Sequence, residues 1–285
     1  MLSLEFTKMQ GNGNDFILVD NRANRFSSKT LSRLAVELCH RRQSVGADGL
    51  LVIEKSPKAD FAMRLFNSDG SEAQMCGNGA RCIARYACEK GIAPRETAFS
   101  TKAGLVRAKV AQDLVTLDMG TVDLGEVGRK GTFSFEGEEI SYTHLVAGVP
   151  HTVIFPQDIR EKTETDLRRL AQTIQADGKR FPQGTNVNFI TEAKEEFLRV
   201  MTFERGVRDF TLSCGTGSAA SAIAAWLEGL VKPPVIVINL GGTNTVDFPD
   251  ERSLATISVK LTGKAEFVYE GHIPEMETEG KGIEG

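Results

Sequence analysis

Tryptophan, tyrosine and histidine are scarce: one, three and four residues in 285. With no basic block interleaved with aromatics and a formal net charge of −4, the chain lacks the electrostatic footprint of a nucleic-acid surface. No uninterrupted apolar run reaches bilayer length, which excludes a spanning helix. The opening segment, Met1 to Gln10, contains Glu5 and Lys8 and has no apolar run leading to a small-residue cleavage site, so no secretory signal is expected there. A Cys-x-x-Cys pair is also missing, and His40, His144, His151 and His272 are scattered, which argues against a zinc site. Cysteine is sparse and odd in number, five residues without framework spacing, as expected for reduced thiols in a cytoplasm rather than for a disulfide scaffold. The expectation is a cytoplasmic protein with no nucleic-acid, membrane or metal partner.

What the chain does have is one phrase written twice. Met75-Cys76-Gly77-Asn78-Gly79-Ala80-Arg81 and Ser213-Cys214-Gly215-Thr216-Gly217-Ser218-Ala219 each place a cysteine before a Gly-x-Gly turn that opens a helical stretch. Each stretch stops at a glycine fifteen residues after its cysteine, Gly91 and Gly229. The likeness extends along the chain at an offset of 136 to 138 residues: Leu34-Ala35 matches Leu170-Ala171, Phe66 matches Phe203, and Ala103-Gly104 matches Gly241-Gly242. A period this long describes a duplicated domain, since solenoid units run about 20–50 residues. Length and composition, 41% hydrophobic and 25% charged, suit a globular chain of two such domains.

Periodicity predicts strands at Leu4 to Met9, Phe16 to Asp20, Leu50 to Glu54, Phe61 to Phe66, Thr97 to Ser100 and Leu105 to Asp118, with helices at Lys29 to Arg41 and Ala80 to Lys90. The second half replays the order: a strand over Val146 to Phe155, a helix over Glu164 to Gln175, strands at Val187 to Thr191 and Phe197 to Phe203, a helix over Ser218 to Glu228 and a buried strand at Val235 to Leu240. Gly120 to Gly137, with five glycines, reads as turns near the boundary, and Glu275 to Gly285 as a frayed tail. Strands outnumber helices, and each half places one apolar helix among them. The expected class is therefore α+β: two homologous lobes, each a β-barrel-like sheet wrapped around a central α-helix. The expected lobes are 1–118 with 264–285, carrying Cys76, and 119–263, carrying Cys214; Phe267 to Tyr269 is read as a strand returning to the first lobe. Facing lobes would set the two cysteines on opposite walls of one cleft.

The chemistry follows from the cysteine phrases. A helix N-terminus offers unpaired backbone N–H groups and partial positive charge, which bind a carboxylate and lower a thiol's pKa from about 8.5. Gly77, Gly79, Gly215 and Gly217 let the backbone approach closely. Two such thiols flanking one α-carbon can remove a proton as thiolate on one face and deliver one as thiol on the other, inverting the centre without a cofactor. A lone cysteine is more often a small buried hydrophobe, the reading given to Cys39, Cys82 and Cys88; duplication sets Cys76 and Cys214 apart. Gly215 to Ala220 also satisfies a dinucleotide-binding G-x-G-x-x-A pattern, but its approach is polar and no carboxylate closes the next strand.

In Gly13-Asn14-Asp15-Phe16, Phe66-Asn67-Ser68-Asp69-Gly70, Met75 to Cys82, Glu204-Arg205-Gly206 and Ser213 to Gly217, taken in this order, the chain resembles the diaminopimelate epimerases over nearly its whole length. Proline racemases, which share the two-cysteine mechanism, typically carry histidine where Asn78 stands; phenazine-biosynthesis-type isomerases lack the cysteine pair. The resemblance implies cofactor-independent interconversion of LL- and meso-2,6-diaminoheptanedioate in lysine and peptidoglycan precursor biosynthesis, by a homodimer. It implies Cys76 as the base for the L centre and Cys214 for the D centre. It also implies Gly77, Asn78, Gly215 and Thr216 around the reacting carboxylate, Asn14 nearby, and Asn67, Asn186, Glu204 and Arg205 around the distal end. Glu204 and His151 resemble the pair that tunes the thiols. Gly49 and Val149 depart from the commonest pattern, glutamine and asparagine. A racemase of another amino acid, or a carboxylate-binding protein without catalysis, remain the competing readings.

Overall fold

Alternating burial marks some of the strands, and a small-residue run makes the most enclosed helix. In the computed structural model, which describes residues 2–124 and 129–276, the segment Thr256–Lys264 buries Ile257, Val259 and Leu261 and exposes the residues between, as a strand with one face on a core must. Gly215–Leu227 behaves differently: every residue from Gly217 to Trp226 is buried, so this helix is covered on all sides.

The chain divides into two units, Met1–Val115 with Ala265–Gly285, and Thr116–Lys264. The first contains β1 (Leu2–Gly11), β2 (Asn14–Asp20), α1 (Ser28–Cys39), β3 (Gly49–Glu54), β4 (Phe61–Asn67), β5 (Glu72–Ala73), α2 (Gly77–Glu89), β6 (Glu96–Thr101) and β7 (Gly104–Ala111). After β8 (Leu114–Asp123), in which the unit boundary falls, the second contains β9 (Arg129–Phe135), β10 (Glu138–Ala147), β11 (Val149–Ile154), α3 (Glu164–Ala176), β12 (Asn186–Lys194) and β13 (Phe197–Glu204). It continues through β14 (Asp209–Thr211), α4 (Gly215–Leu227), β15 (Val235–Asn239), β16 (Gly242–Asp247) and β17 (Thr256–Lys264), and β18 (Glu266–Met276) belongs to the first unit.

Strand pairing shows the duplication directly. In the first unit the hydrogen-bonded order is β18, β1, β2, β3, β4, β6, β7, with β5 on β4; β2–β3 and β4–β6 are parallel and the rest antiparallel. In the second it is β9, β10, β11, β12, β13, β15, β16, β17, with β14 on β13; β11–β12 and β13–β15 are the parallel pairs. Order and sense agree from β18 and β9 onward. Each parallel step needs a crossover, and a helix supplies it every time, α1 and α2 in one unit and α3 and α4 in the other. The C-terminal β18 takes beside β1 the place that β9 takes beside β10.

Around α4, side chains from β10 to β13 and β15 to β17, including Leu145, Val153, Ile190, Val200, Val237, Val246 and Val259, form one apolar cluster with Ile223 and Trp226. On the other face of the β11–β13 sheet, α3 packs Leu167, Leu170 and Ile174 on Phe189 and Phe203. In the first unit α1 sets Leu31, Leu34 and Leu38 on Leu50 and Val52. The structure is thus the expected α+β arrangement of two sheet-rich units, each with an apolar helix against its sheet.

Several local expectations change. The cysteine helices begin at Gly77 and Gly215, three residues earlier than the pattern suggested, because the glycines already adopt helical turns behind an extended cysteine. Leu105 to Asp118 is two strands, broken at Gln112, which lies at φ 58°. Val146 to Phe155 is likewise divided, by Gly148 at φ 75°. Strand structure enters the Gly120 to Gly137 region from both sides, through β8 and β9; residues 125–128 of that region, and 277–285 of the expected tail, lie outside the described residues.

Candidate active site

Cys76 and Cys214 occupy the same structural position. Each is the N-cap of its helix, with extended backbone at φ −138°, ψ 128° and φ −115°, ψ 114°. The first intrahelical bonds run from Ala80 N–H to Cys76 O at 2.8 Å and from Ser218 N–H to Cys214 O at 2.9 Å. The N–H groups of the preceding helical residues therefore stand outside the ladder, beside the thiol. Both helices end in the same way: Gly91 and Gly229 take φ 65° and 76°, and Ile92 and Leu230 donate back to Ala87 and Ala225 at 2.8 and 2.9 Å. This is a Schellman motif, for which glycine carries no Cβ penalty.

In the second unit two contacts place the Cys214 sulfur. Gly217 N–H lies 3.3 Å from Sγ and the Thr216 hydroxyl 3.4 Å. Burial nevertheless pushes the thiol pKa up to about 12, and the nearby Glu204 carboxylate pushes in the same direction, outweighing the two donors. At neutral pH Cys214 rests as a thiol. Glu204 Oε1 is itself held by the Thr211 hydroxyl at 2.7 Å. Asn186 Oδ1 accepts the Arg205 backbone N–H at 2.9 Å, and the exposed Arg205 guanidinium donates to the Gln183 carbonyl. Gly148, at the tip between β10 and β11, lies over the Thr216 methyl.

His151 is completely buried on β11. Its Nδ1 meets Asn188 Nδ2 at 3.0 Å, and its buried Nε2 has no hydrogen-bond partner among the described residues. Burial is the main cause that lowers its pKa to about 3, and the His144 and Arg205 charges act in the same direction.

In the first unit Asn14 joins the pieces. Its Oδ1 accepts from the Cys76 thiol at 3.5 Å and from Asn78 Nδ2 at 3.3 Å, and its Nδ2 donates to Asp48 Oδ2 at 2.6 Å. Arg41 binds both Asp48 and Asp15 at 2.6 Å, and Lys8 reaches Asp15 at 2.8 Å. Burial works against the charge on Asp15, but the bonds from Arg41 and Lys8 outweigh it and hold its pKa down at about 2. Asn67 is the exposed last residue of β4, and its amide donates to Ser71 at 2.9 Å.

The structure thus brings Asn14, Cys76, Gly77 and Asn78 together in one unit, and Glu204, Cys214, Gly215 and Thr216 together in the other. Asn67 is apart from the first group in its hydrogen bonding, and Asn186, Arg205 and His151 surround the second without a bond to Cys214. Sequence reasoning missed Asp48 and Arg41, which fix Asn14, and Asn188, Thr202 and Thr211. One signal was present for Asn188: it interrupts an otherwise apolar run from Val187 to Ile190. The unusual Gly49 has a packing reason, since a Cβ there would lie 2.8 Å from the Phe66 carbonyl oxygen. The dinucleotide pattern at Gly215 loses its context, because the strand before it, β14, pairs antiparallel to β13 and is no part of a parallel βαβ unit.

Known proteins resemble this chain in sequence and in fold. The chain is 40% identical to a diaminopimelate epimerase of Methanocella arvoryzae, over 96% of this chain and 98% of that one. It is 36% identical to one of Aquifex aeolicus, over 95% and 98% of the two chains. Among solved structures, a hydroxyproline epimerase from Agrobacterium vitis aligns with TM-score 0.66 at 17% identity, covering 95% of this chain and 92% of that one. A phenazine biosynthesis protein of Bacillus anthracis aligns with TM-score 0.67 at 16% identity, over 96% and 99%. Those two show a shared fold. The family model for diaminopimelate epimerase matches residues 6–125 and 144–268, and with the cysteine phrases at the same place in both units, the chain belongs to the diaminopimelate epimerase family.

Proposed function

We propose that the protein interconverts LL- and meso-2,6-diaminoheptanedioate by a two-base, cofactor-independent route, with Cys76 and Cys214 as the bases. The observation that carries this reading is the pair of thiols at equivalent helix N-caps, each beside backbone N–H groups outside the helical ladder. Such groups bind a carboxylate and favour the negative charge that develops on it as the α-proton leaves.

In the direction from the LL form, the Cys76 thiolate takes the α-proton, breaking C–H and forming S–H. The Cys214 thiol gives its proton to the opposite face, forming the new C–H bond and leaving a thiolate. The burial and the Glu204 carboxylate that keep Cys214 protonated suit it to that donor role. Gly217 N–H and the Thr216 hydroxyl then stabilise the thiolate it becomes. Proton exchange with solvent then returns Cys76 to the thiolate and Cys214 to the thiol, and the reverse reaction exchanges their roles. Asn14 holds the Cys76 thiol, while Gly77, Asn78, Gly215 and Thr216 serve the reacting carboxylate. Asn67, Asn186, Glu204 and Arg205 serve the distal amino-acid end, for which ammonium acceptors and a bidentate carboxylate donor are the right chemistry. We read the enzyme as a cytoplasmic homodimer acting in lysine and peptidoglycan precursor biosynthesis; among the described residues no helix is long and apolar enough to cross a membrane.

The test is turnover of LL-diaminopimelate by purified, reduced protein, with proline and lysine alongside. Conversion to the meso form for diaminopimelate alone is expected, with a loss of roughly 10²–10⁴-fold in both Cys76→Ala and Cys214→Ala. Inversion of proline or lysine in its place would reassign the substrate, and no inversion of any amino acid would leave only a binding role.

A further inference from the structure

The two cysteine helices rest on different floors. Strand register aligns Leu51, opposite Leu65, with Asn188, opposite Thr202, and it aligns Phe16, opposite Gly49, with His151, opposite Asn186. The glycines two residues past Gly77 and Gly215 sense these floors. A Cβ on Gly79 would meet Leu51, Met63 and Phe16 at 3.1 to 3.5 Å, whereas one on Gly217 would meet Asn188 Oδ1 at 2.5 Å and Thr202 Oγ1 at 2.8 Å. Where the first unit buries Phe16, Leu51 and Leu65, the second buries His151, Asn188 and Thr202, each at most 2% exposed. Burying polar groups at positions that pack well with apolar ones is costly unless every atom is satisfied. Of these three side chains His151 is the exception, its Nε2 buried and unpartnered among the described residues.

The contacts fix the orientation of the amide and, through it, the histidine proton. Asn188 Nδ2 lies 3.4 Å from the Thr152 carbonyl, which can only accept, so this atom is the donor end. The other end, Oδ1, accepts from the Thr202 hydroxyl at 3.0 Å. Nδ2 therefore donates to His151 Nδ1, whose lone pair must be free, and the imidazole proton is placed on Nε2. The titratable and charged groups around His151 are His144 on β10 and Arg205 beyond β13; Asn188 is its neutral partner on β12.

We propose that Asn188, aligned by Thr202 and the Thr152 carbonyl, is a positioning residue that locks His151 in the Nε2–H tautomer, so that His151 serves the reaction as a hydrogen-bond donor and not as a base. Among the described residues the Nε2–H finds no acceptor, which leaves it as a donor for a substrate oxygen. The proposal rests on the reading that His151 belongs to the epimerase site. Its floor also explains why the two thiols, alike in backbone geometry, differ in surroundings.

The experiment is long-range proton–nitrogen NMR of protein labelled at its four histidines, with His151 assigned by His151→Phe. The wild-type His151 is expected to carry its proton on Nε2 and to keep it unchanged between about pH 5 and 9. A proton on Nδ1, or an imidazolium appearing within that range, would overturn the proposal. In Asn188→Asp the carboxylate accepts where the amide donated, so Nδ1 becomes protonated, kcat falls about 10–100-fold as for other outer-shell partners, KM changes little and a new ionisation enters the pH–rate profile. A folded Asn188→Asp protein with the wild-type tautomer and kcat would likewise overturn it. If that variant does not fold, the wild-type spectrum decides alone. The tautomer is read without substrate, so failure of the epimerase assignment appears only in the turnover assay.

Discussion

Complete burial deprives a protonated His151 of its hydration, and that is the main reason its pKa drops to about 3. An unfolded histidine takes up a proton below about pH 6.5 and the folded one does not. The stability this group contributes is therefore fully present above about pH 6.5 and is lost as pH falls toward the folded value, by up to about 1.4 kcal/mol per pH unit. His151→Phe, which copies the first unit's Phe16, removes that dependence. Denaturant titrations between about pH 6 and 4 should show a shallower loss of stability for the variant than for the wild type, and parallel slopes would contradict the assignment of a buried neutral imidazole. Cys214 gives the opposite sign. Its pKa of about 12 lies above that of an unfolded thiol, so its contribution is present below the ordinary thiol range and declines as pH rises through about 9 to 12. Because the Glu204 carboxylate is part of the cause, Glu204→Gln should move the pH dependence of Cys214 alkylation by iodoacetamide to lower pH, followed by mass spectrometry of the labelled peptide. An unmoved profile would show that burial alone sets the thiol. Cys76 and Cys214 were legible in the sequence because their phrases repeat. Asn188 and Thr202 were not, because their meeting depends on cross-strand register, which no local pattern states.

At the level of elements, the glycine stops of the two cysteine helices were the most readable features. Gly91 and Gly229 stop their helices by taking left-handed backbone, and Thr163 with Asp166 forms a capping box that opens α3. β9 was hidden for a physical reason. Its Gly131 looks like a turn residue, yet the space of its missing Cβ is filled by the Tyr142 side chain from β10, whose hydroxyl oxygen lies 2.5 Å from where that atom would be. The starts of α2 and α4 were misplaced because Gly-x-Gly has poor helix propensity, while the sheet beneath fixes its conformation. The two floors lead to a paired prediction. Gly217→Ala drives a methyl into the Asn188–Thr202 pair and should destabilise the protein by about 1–3 kcal/mol, with loss of activity. Gly79→Ala meets only side-chain carbons at 3.1 Å or more and should cost less. Urea unfolding of the two variants checks the ranking; a larger loss in Gly79→Ala would contradict the difference between the floors.

For the molecule as a whole, duplication supplied two copies of one topology, and divergence made them chemically unequal. The internal offset let the repeated order of strands and helices be read from sequence, down to Leu34-Ala35 and Leu170-Ala171 on the buried faces of α1 and α3. It did not disclose that Asn14 is held by Asp48 and Arg41 in one unit, nor that Val149 and Pro150 precede a buried histidine in the other. The central claim is that two different thiols handle the proton on the two faces of one carbon. The direct test is the early reaction of LL-diaminopimelate in heavy water with the reduced enzyme, following deuterium in substrate and product separately. Two bases predict deuterium at the inverted α-carbon of the meso product from the first turnovers and none in the recovered LL substrate. Deuterium appearing equally in recovered LL substrate, or protium returned to the inverted centre, would mean that a single base serves both faces and would contradict the account.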